Sequence, residues 1–179
     1  VRAWAQRTQP EGWKSAHARL AAYYENLGED AFERGRGKHA KRRMRTREML
    51  YHRLVADGID GHVQAQQAFL DALRADYRWA AEVVAIWQAA AETPGVSDAV
   101  TAWASNLARG WEALRARDWT SALSFCDEIL GDASLNEALR PGYRRLRHWI
   151  AGRLGLPLEE EEEALEEPEI SEPETEVAE

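Results

Sequence analysis

Three features of the sequence predict an all-α fold, an antiparallel bundle of about six helices followed by a disordered acidic tail. Apolar residues recur at three- and four-residue spacing through most of residues 10–154. No stretch holds the strict alternation of a half-buried strand. The interruptions are short clusters of Gly, Pro, Asp and Asn, which place neighbouring helices antiparallel. With 179 residues, 45% hydrophobic and 30% charged, the chain suits one soluble helical domain over 1–156 and a tail over 157–179.

The first helix is predicted to open at Pro10, where a missing N–H costs least, and to stop at Gly28. Trp13, Ala16, Leu20, Tyr23, Tyr24 and Leu27 form its expected apolar stripe. Residues 28–37 read as a loop. A second helix follows over 38–56, with Ala40, Met44, Tyr51 and Val55 on one side. "DGIDG" at 57–61 reads as a turn, and a long third helix is expected from Gly61 to Glu92, carrying Phe69, Leu73, Ala80, Val83, Val84, Trp87 and Ala91. "TPG" at 93–95 ends it. Ser97 is the expected cap of the next helix, with a stripe of Val100, Trp103, Leu107, Trp111 and Leu114. Asp118 is placed to cap a short helix reaching Leu130. Asn136 is placed to cap a last helix to about Leu154, with Pro141 in its first turn.

Charge divides the chain sharply. From Glu159 to Glu179 there are 12 Glu and no basic residue, so the formal net charge of -8 conceals a body of opposite sign. The 19 acidic residues left in 1–158 face 23 Lys and Arg, a net of +4. The tail is too poor in apolar side chains to offset its conformational entropy and is expected to be disordered. No apolar run approaches the ~18 residues a membrane span needs, so no membrane association is expected. "VRAWAQRTQP" contains no apolar signal core. A lone cysteine, Cys126, excludes an internal disulfide and a multi-cysteine zinc site, and a reducing, cytoplasmic setting follows as the expectation.

Positive charge is concentrated in "RGRGKHAKRRMRTREMLYHR" (34–53), with nine Lys or Arg and one acidic residue. Wound as a helix, Lys38, Lys41, Arg42, Arg45 and Arg53 fall within about 120° of one another, away from Met44, Tyr51 and Val55. Arg43 and Arg47 fall near the edge of the core side. Convergent cations of this kind neutralise successive phosphates and release counterions. Arg34 and Arg36 precede them beside Gly35 and Gly37. A second basic cluster, which includes Arg144 and Arg145, lies in the last helix. These residues define an expected site for an RNA or DNA backbone. The opposing expectations are a solvated face, one masked by the acidic tail, whose carboxylates imitate phosphate, or a surface for an acidic protein partner.

Residues 103–136, "WASNLARGWEALRARDWTSALSFCDEILGDASLN", resemble one tetratricopeptide repeat. Gly110 lies in the first helix, Asp118–Trp119 at the elbow, Ala122–Leu123 at the start of the second helix and Ile129–Leu130 near its end. The match covers about 34 residues and departs at Ser134, near where the family usually carries Pro. The resemblance implies close helix approach at Gly110, an aromatic elbow at Trp119 and a clash avoided at Ala122. It also implies a protein or peptide partner gripped by Trp103, Trp111 and Trp119, and no catalysis.

Catalytic and metal signatures are missing from the sequence. "ERGRGKHAK" fails as a phosphate loop because Phe32 stands where the first Gly belongs and His39 where Ser or Thr belongs. The five His (17, 39, 52, 62 and 148) are scattered, though His52 and His62 flank the "DGIDG" turn and are expected either to meet there or to remain two surface histidines. "DGIDG" lacks the alternating ligands of a calcium loop. Cys126 is expected in the core. The sequence therefore predicts a non-enzymatic protein without metal or cofactor. It is expected to act as a nucleic-acid-binding subunit of a larger assembly, or as a helical adaptor for a protein partner.

Overall fold

The computed structural model describes residues 10–27, 38–56 and 59–157. Among these residues the chain forms seven α-helices, one 3-10 turn and no strand. The helices are α1 (Pro10–Asn26), α2 (Lys38–Ala56), α3 (Ile59–Ala75), α4 (Tyr77–Ala91), α5 (Asp98–Arg115), α6 (Trp119–Gly131) and α7 (Arg140–Arg153). The 3-10 turn, Glu137–Leu139, precedes α7. Helices α1, α2, α6 and α7 begin or end within a residue or two of their expected bounds. The 28–37 loop and the acidic tail lie outside the described residues, apart from Pro157.

The long third helix is two helices. Asp76 interrupts it, and its carboxylate accepts from the backbone N–H groups of Arg78 and Trp79 at 3.0 and 3.2 Å. Those donors open α4, so Asp76 acts as an N-cap inside an otherwise continuous apolar pattern. Periodicity alone passed over it because Phe69, Leu73, Ala80, Val83 and Trp87 are all buried on both sides of the break. The "DGIDG" turn is also shorter than expected. Helix α3 already begins at Ile59, and Gly61 lies within it. A Cβ at Gly61 would stand 2.8 Å from the carbonyl oxygen of Arg53, so glycine is what lets the start of α3 approach the backbone of α2.

The described residues fall into two compact units. One holds α1, α2, the start of α3 up to Ala65, the end of α4 from Ala85 and the start of α5 up to Ser105. In this unit α1 and α2 are antiparallel, with His17 against His52 and Tyr24 against Arg45. Leu50, Leu54, Val55, Ala65, Trp87, Ala90 and Val100 are buried. The α1 stripe differs from its expectation. His17 and Ala21 are the buried positions, whereas Leu20 and Tyr23 are 42% and 58% exposed. On α2, Val55 is buried as expected, but Met44 is 54% exposed, and Leu50 and Leu54 are buried beside Val55.

The other unit holds Gln66–Val84 and the chain from Asn106 onward. Its centre contains Phe69, Leu107, Phe125, Leu139, Tyr143 and Ile150, all essentially inaccessible. Tyr143 donates its hydroxyl to Gln66 at 3.2 Å, which gives the two buried polar groups a partner in each other. Cys126 is buried here, and burial pushes its thiol well above the ordinary range, so it behaves as a small apolar side chain. Asp118 caps α6, accepting from Ser121 N–H at 3.1 Å and from the Ser121 hydroxyl at 2.6 Å. Ser97 and Asn136 accept from Val100 N–H and Ala138 N–H in the same way.

Two residues in this unit set the α5–α6 turn. At Gly110 a Cβ would lie 2.6 Å from the Phe125 ring, so the helix pair closes over an aromatic face only because the side chain is missing. Arg117 closes the end of α5 at φ 56, while Asp118 N–H reaches Ala113 O and Arg117 N–H reaches Leu114 O. That is a Schellman motif with arginine where glycine is favoured. Gly110→Ala is expected to destabilise the protein by about 1–3 kcal/mol through displacement of the Phe125 ring, read from urea unfolding. By the same measurement, Arg117→Gly is expected to stabilise it by about 0.5–1 kcal/mol, since the left-handed conformation strains a residue with a Cβ.

Candidate nucleic-acid interface and an aromatic–histidine cleft

Helix α2 carries two different surfaces. The last carbonyls of α1 have no partner within their own helix and lie at its electronegative end. Arg45 of α2 supplies donors to them, with Nε to Tyr24 O at 2.6 Å and an Nη group to Glu25 O at 2.5 Å. Arg53 pairs with the Glu25 carboxylate at the same end of α1. The expected five-cation face is therefore divided. Arg45 and Arg53 bind α1, while Lys41, Arg42, Arg43 and Arg47 are exposed on the N-terminal half of α2. Arg43 and Arg47, placed near the core side by the wheel, are exposed because no residue from Lys41 to Met49 is buried and burial sets in at Leu50.

The remaining expected cations are spread more widely. Lys38 is the first residue of α2, and Arg34 and Arg36 lie outside the described residues. Arg144 is exposed on α7. Arg145 is half-buried and lines a small cleft with Gln67, Asp71 and Arg74. Other arginines of α7 have local acceptors. Arg140 reaches Glu137 and the Leu130 carbonyl at 2.8 Å each, and Arg147 reaches Asp127 at 2.6 Å. Arg153 lies 5.1 Å from the centroid of the Trp149 ring.

The three expected partner-binding tryptophans are placed differently from one another. Trp111 is 7% exposed and packs on Tyr77 with ring centroids 4.5 Å apart, which leaves it no open face. Trp119 is half-buried and meets Trp149 of α7 edge-on at 5.3 Å. Trp103 is half-buried. Ala122 is fully buried beside Phe125 in α6.

Across the C-terminal half of α2, away from its exposed cations, lies an open cleft of about 840 Å³. Its walls come from α1, α2 and the end of α4 with the Thr93–Pro94 turn. His17 Nδ1 and His52 Nδ1 face each other at 2.8 Å. One ring must donate and the other accept, so the facing nitrogens hold at most one proton between them. Trp13 packs on His17 at 4.5 Å, Tyr24 stacks on His52 at 5.9 Å, and Tyr51 meets both imidazoles edge-on. Tyr51 is held by a 3.1 Å hydrogen bond with the Thr93 hydroxyl. Glu48 lies 4.0 Å from His52 Nε2. His52 thus meets His17 and not His62, which packs edge-on against Trp87 at 5.5 Å.

Sequence reasoning missed this cleft. Trp13, His17, Ala21 and Tyr24 recur at four, four and three, a cleaner stripe than the one through Leu20 and Tyr23. A polar histidine in the middle disguised it. Among the described residues no three His, Cys, Asp or Glu side chains converge as a metal site. No described helix is long and apolar enough to cross a membrane. No family model, curated protein or solved structure matches the chain.

Burial holds the His52 imidazole below its ordinary value of 6.5, against a smaller opposing pull from the Glu48 carboxylate. A folded value below the unfolded one means that His52 binds its proton more readily in the unfolded chain. Its contribution to stability is complete above about pH 6.5 and is lost as the pH falls through the lower folded value. The thermal midpoint is expected to drop between pH 7 and 5.5. His52→Gln is expected to lower the midpoint at pH 7.5 but flatten that decline, as followed by circular dichroism.

Proposed function

We propose that this chain is a non-enzymatic helical subunit that binds a nucleic-acid backbone through α2 and acts within a larger assembly. The observation that supports this reading is the exposure of Lys41, Arg42, Arg43 and Arg47 on about two turns of one helix. The arginines beside them, Arg45 and Arg53, anchor that helix to α1. A rigid helix that presents several cations at one end suits phosphate contacts, which position a backbone without reading its sequence. Lys38 continues the same segment, as do Arg34 and Arg36 in the sequence, and Arg144 and Arg145 form the second basic cluster. The twelve carboxylates of the tail are proposed to compete with phosphate for these cations.

A protein partner is the second reading. It is favoured by the exposed apolar side chains Leu20, Tyr23 and Met44 on α1 and α2, together with the repeat-like hairpin of α5 and α6.

The test is a mobility-shift titration with single-stranded RNA and duplex DNA at several salt concentrations. The variant Lys41→Glu/Arg42→Glu/Arg43→Glu/Arg47→Glu keeps Arg45 and Arg53, which hold α2 to α1. It is expected to abolish binding at low salt, and each single substitution is expected to reduce the salt slope by about one, the share of one neutralised phosphate. Deletion of residues 159–179 is expected to tighten binding. Undetectable binding by both the full chain and the truncated form overturns the nucleic-acid reading. Capture of a protein partner that survives the four-residue charge reversal, and is abolished by Leu20→Ser/Tyr23→Ser, establishes the second.

A further inference from the structure

The cleft between α1, α2 and the end of α4 has a composition unlike the surface around it. Its volume, about 840 Å³, falls within the range of small-molecule sites. Three aromatic side chains, Trp13, Tyr24 and Tyr51, line it, and so do two carboxylates, Glu48 and Glu92. Among the described residues no lysine or arginine does, although the body of the protein is basic. Arg45 and Arg53 of α2 turn to the end of α1. His52 adds little opposing charge at neutral pH, because burial lowers its affinity for the proton.

We propose that this cleft binds a small organic cation of the quaternary ammonium type. Aromatic faces attract such a cation through their quadrupoles, and its weak hydration makes entry into an aromatic site inexpensive. Glu48 and Glu92 supply the compensating charge. The Tyr51 hydroxyl is engaged by Thr93 and His52 Nδ1 by His17, so the aromatic rings and the two carboxylates are the groups left to meet the cation, a set that attracts a methylated nitrogen without needing a donated hydrogen bond. The Trp13 indole N–H is buried without a hydrogen-bond partner, and it gives an internal reporter next to the site. Exposed cations of α2 take no part in this lining, so the outcome is independent of nucleic-acid binding.

The experiment is calorimetric titration of the full chain with choline and, in parallel, with 3,3-dimethylbutan-1-ol, its uncharged carbon isostere. Saturable one-to-one binding of choline is expected, about tenfold tighter than that of the isostere. Glu48→Gln and Glu92→Gln are expected to weaken choline without changing the isostere, and choline should shift the Trp13 indole signal in NMR spectra, assigned by Trp13→Phe. Equal affinity for the two compounds overturns the proposal and leaves only an apolar pocket. No saturation by about 10 mM choline overturns it, as does unchanged choline affinity in both folded glutamine variants.

Discussion

The carbonyl groups at the end of α1 have no partner in their own helix, and the way α2 satisfies them governs the N-terminal part of the molecule. Arg45 donates to Tyr24 O and Glu25 O, and Arg53 pairs with the Glu25 side chain. A guanidinium presents donors in a rigid fork, so the contact sets both distance and register. With Tyr24 opposite Arg45 in an antiparallel pair, His17 comes opposite His52. The histidine contact, the aromatic rings around it and the cleft they line all follow from that register. A slip of one helical turn would separate the two imidazoles and leave polar nitrogens facing apolar carbon.

The same contact divides the charge of α2. Seen as an isolated helix, its cations form one continuous face. In the folded protein that face takes two roles along its length. Toward the C-terminal half it supplies structural ligands for α1, and toward the N-terminal half it stays at the surface as Lys41, Arg42, Arg43 and Arg47. Surface ion pairs of arginine are individually weak in water. Arg45 and Arg53 differ because they meet backbone carbonyls and a carboxylate at one helix end, where the peptide dipoles add to the attraction. One helix therefore carries exposed cations at one end and borders, at the other, an aromatic cleft whose lining includes Glu48 and Glu92.

The helix bounds show how much was legible in the sequence. Pro10, Ser97, Asp118 and Pro141 each mark a helix start by a local mechanism, a missing N–H or a side-chain oxygen aimed at the first backbone donors, whereas Asn136, expected to cap the last helix, caps the 3-10 turn before it and leaves α7 without a side-chain cap. Such effects act over three residues and survive any tertiary context, so they could be read directly. Asp76 uses the same mechanism but sits between apolar residues that are buried on both sides, and the hydrophobic period hid it. Gly110 was identifiable as a close approach within the repeat-like segment, and Phe125 is the ring it admits.

By itself, the sequence determined the helical class, most helix ends, the burial of Cys126 and the separation of a basic body from an acidic tail. These depend on local hydrogen bonding, on hydrophobic period and on composition. Only the tertiary structure decided which cations remain at the surface, which face of α1 is buried, and that His17 meets His52. Those outcomes depend on partners about 20 to 35 residues apart in the chain, whose register is set by the packing of one helix end against another and leaves no periodic trace in either helix.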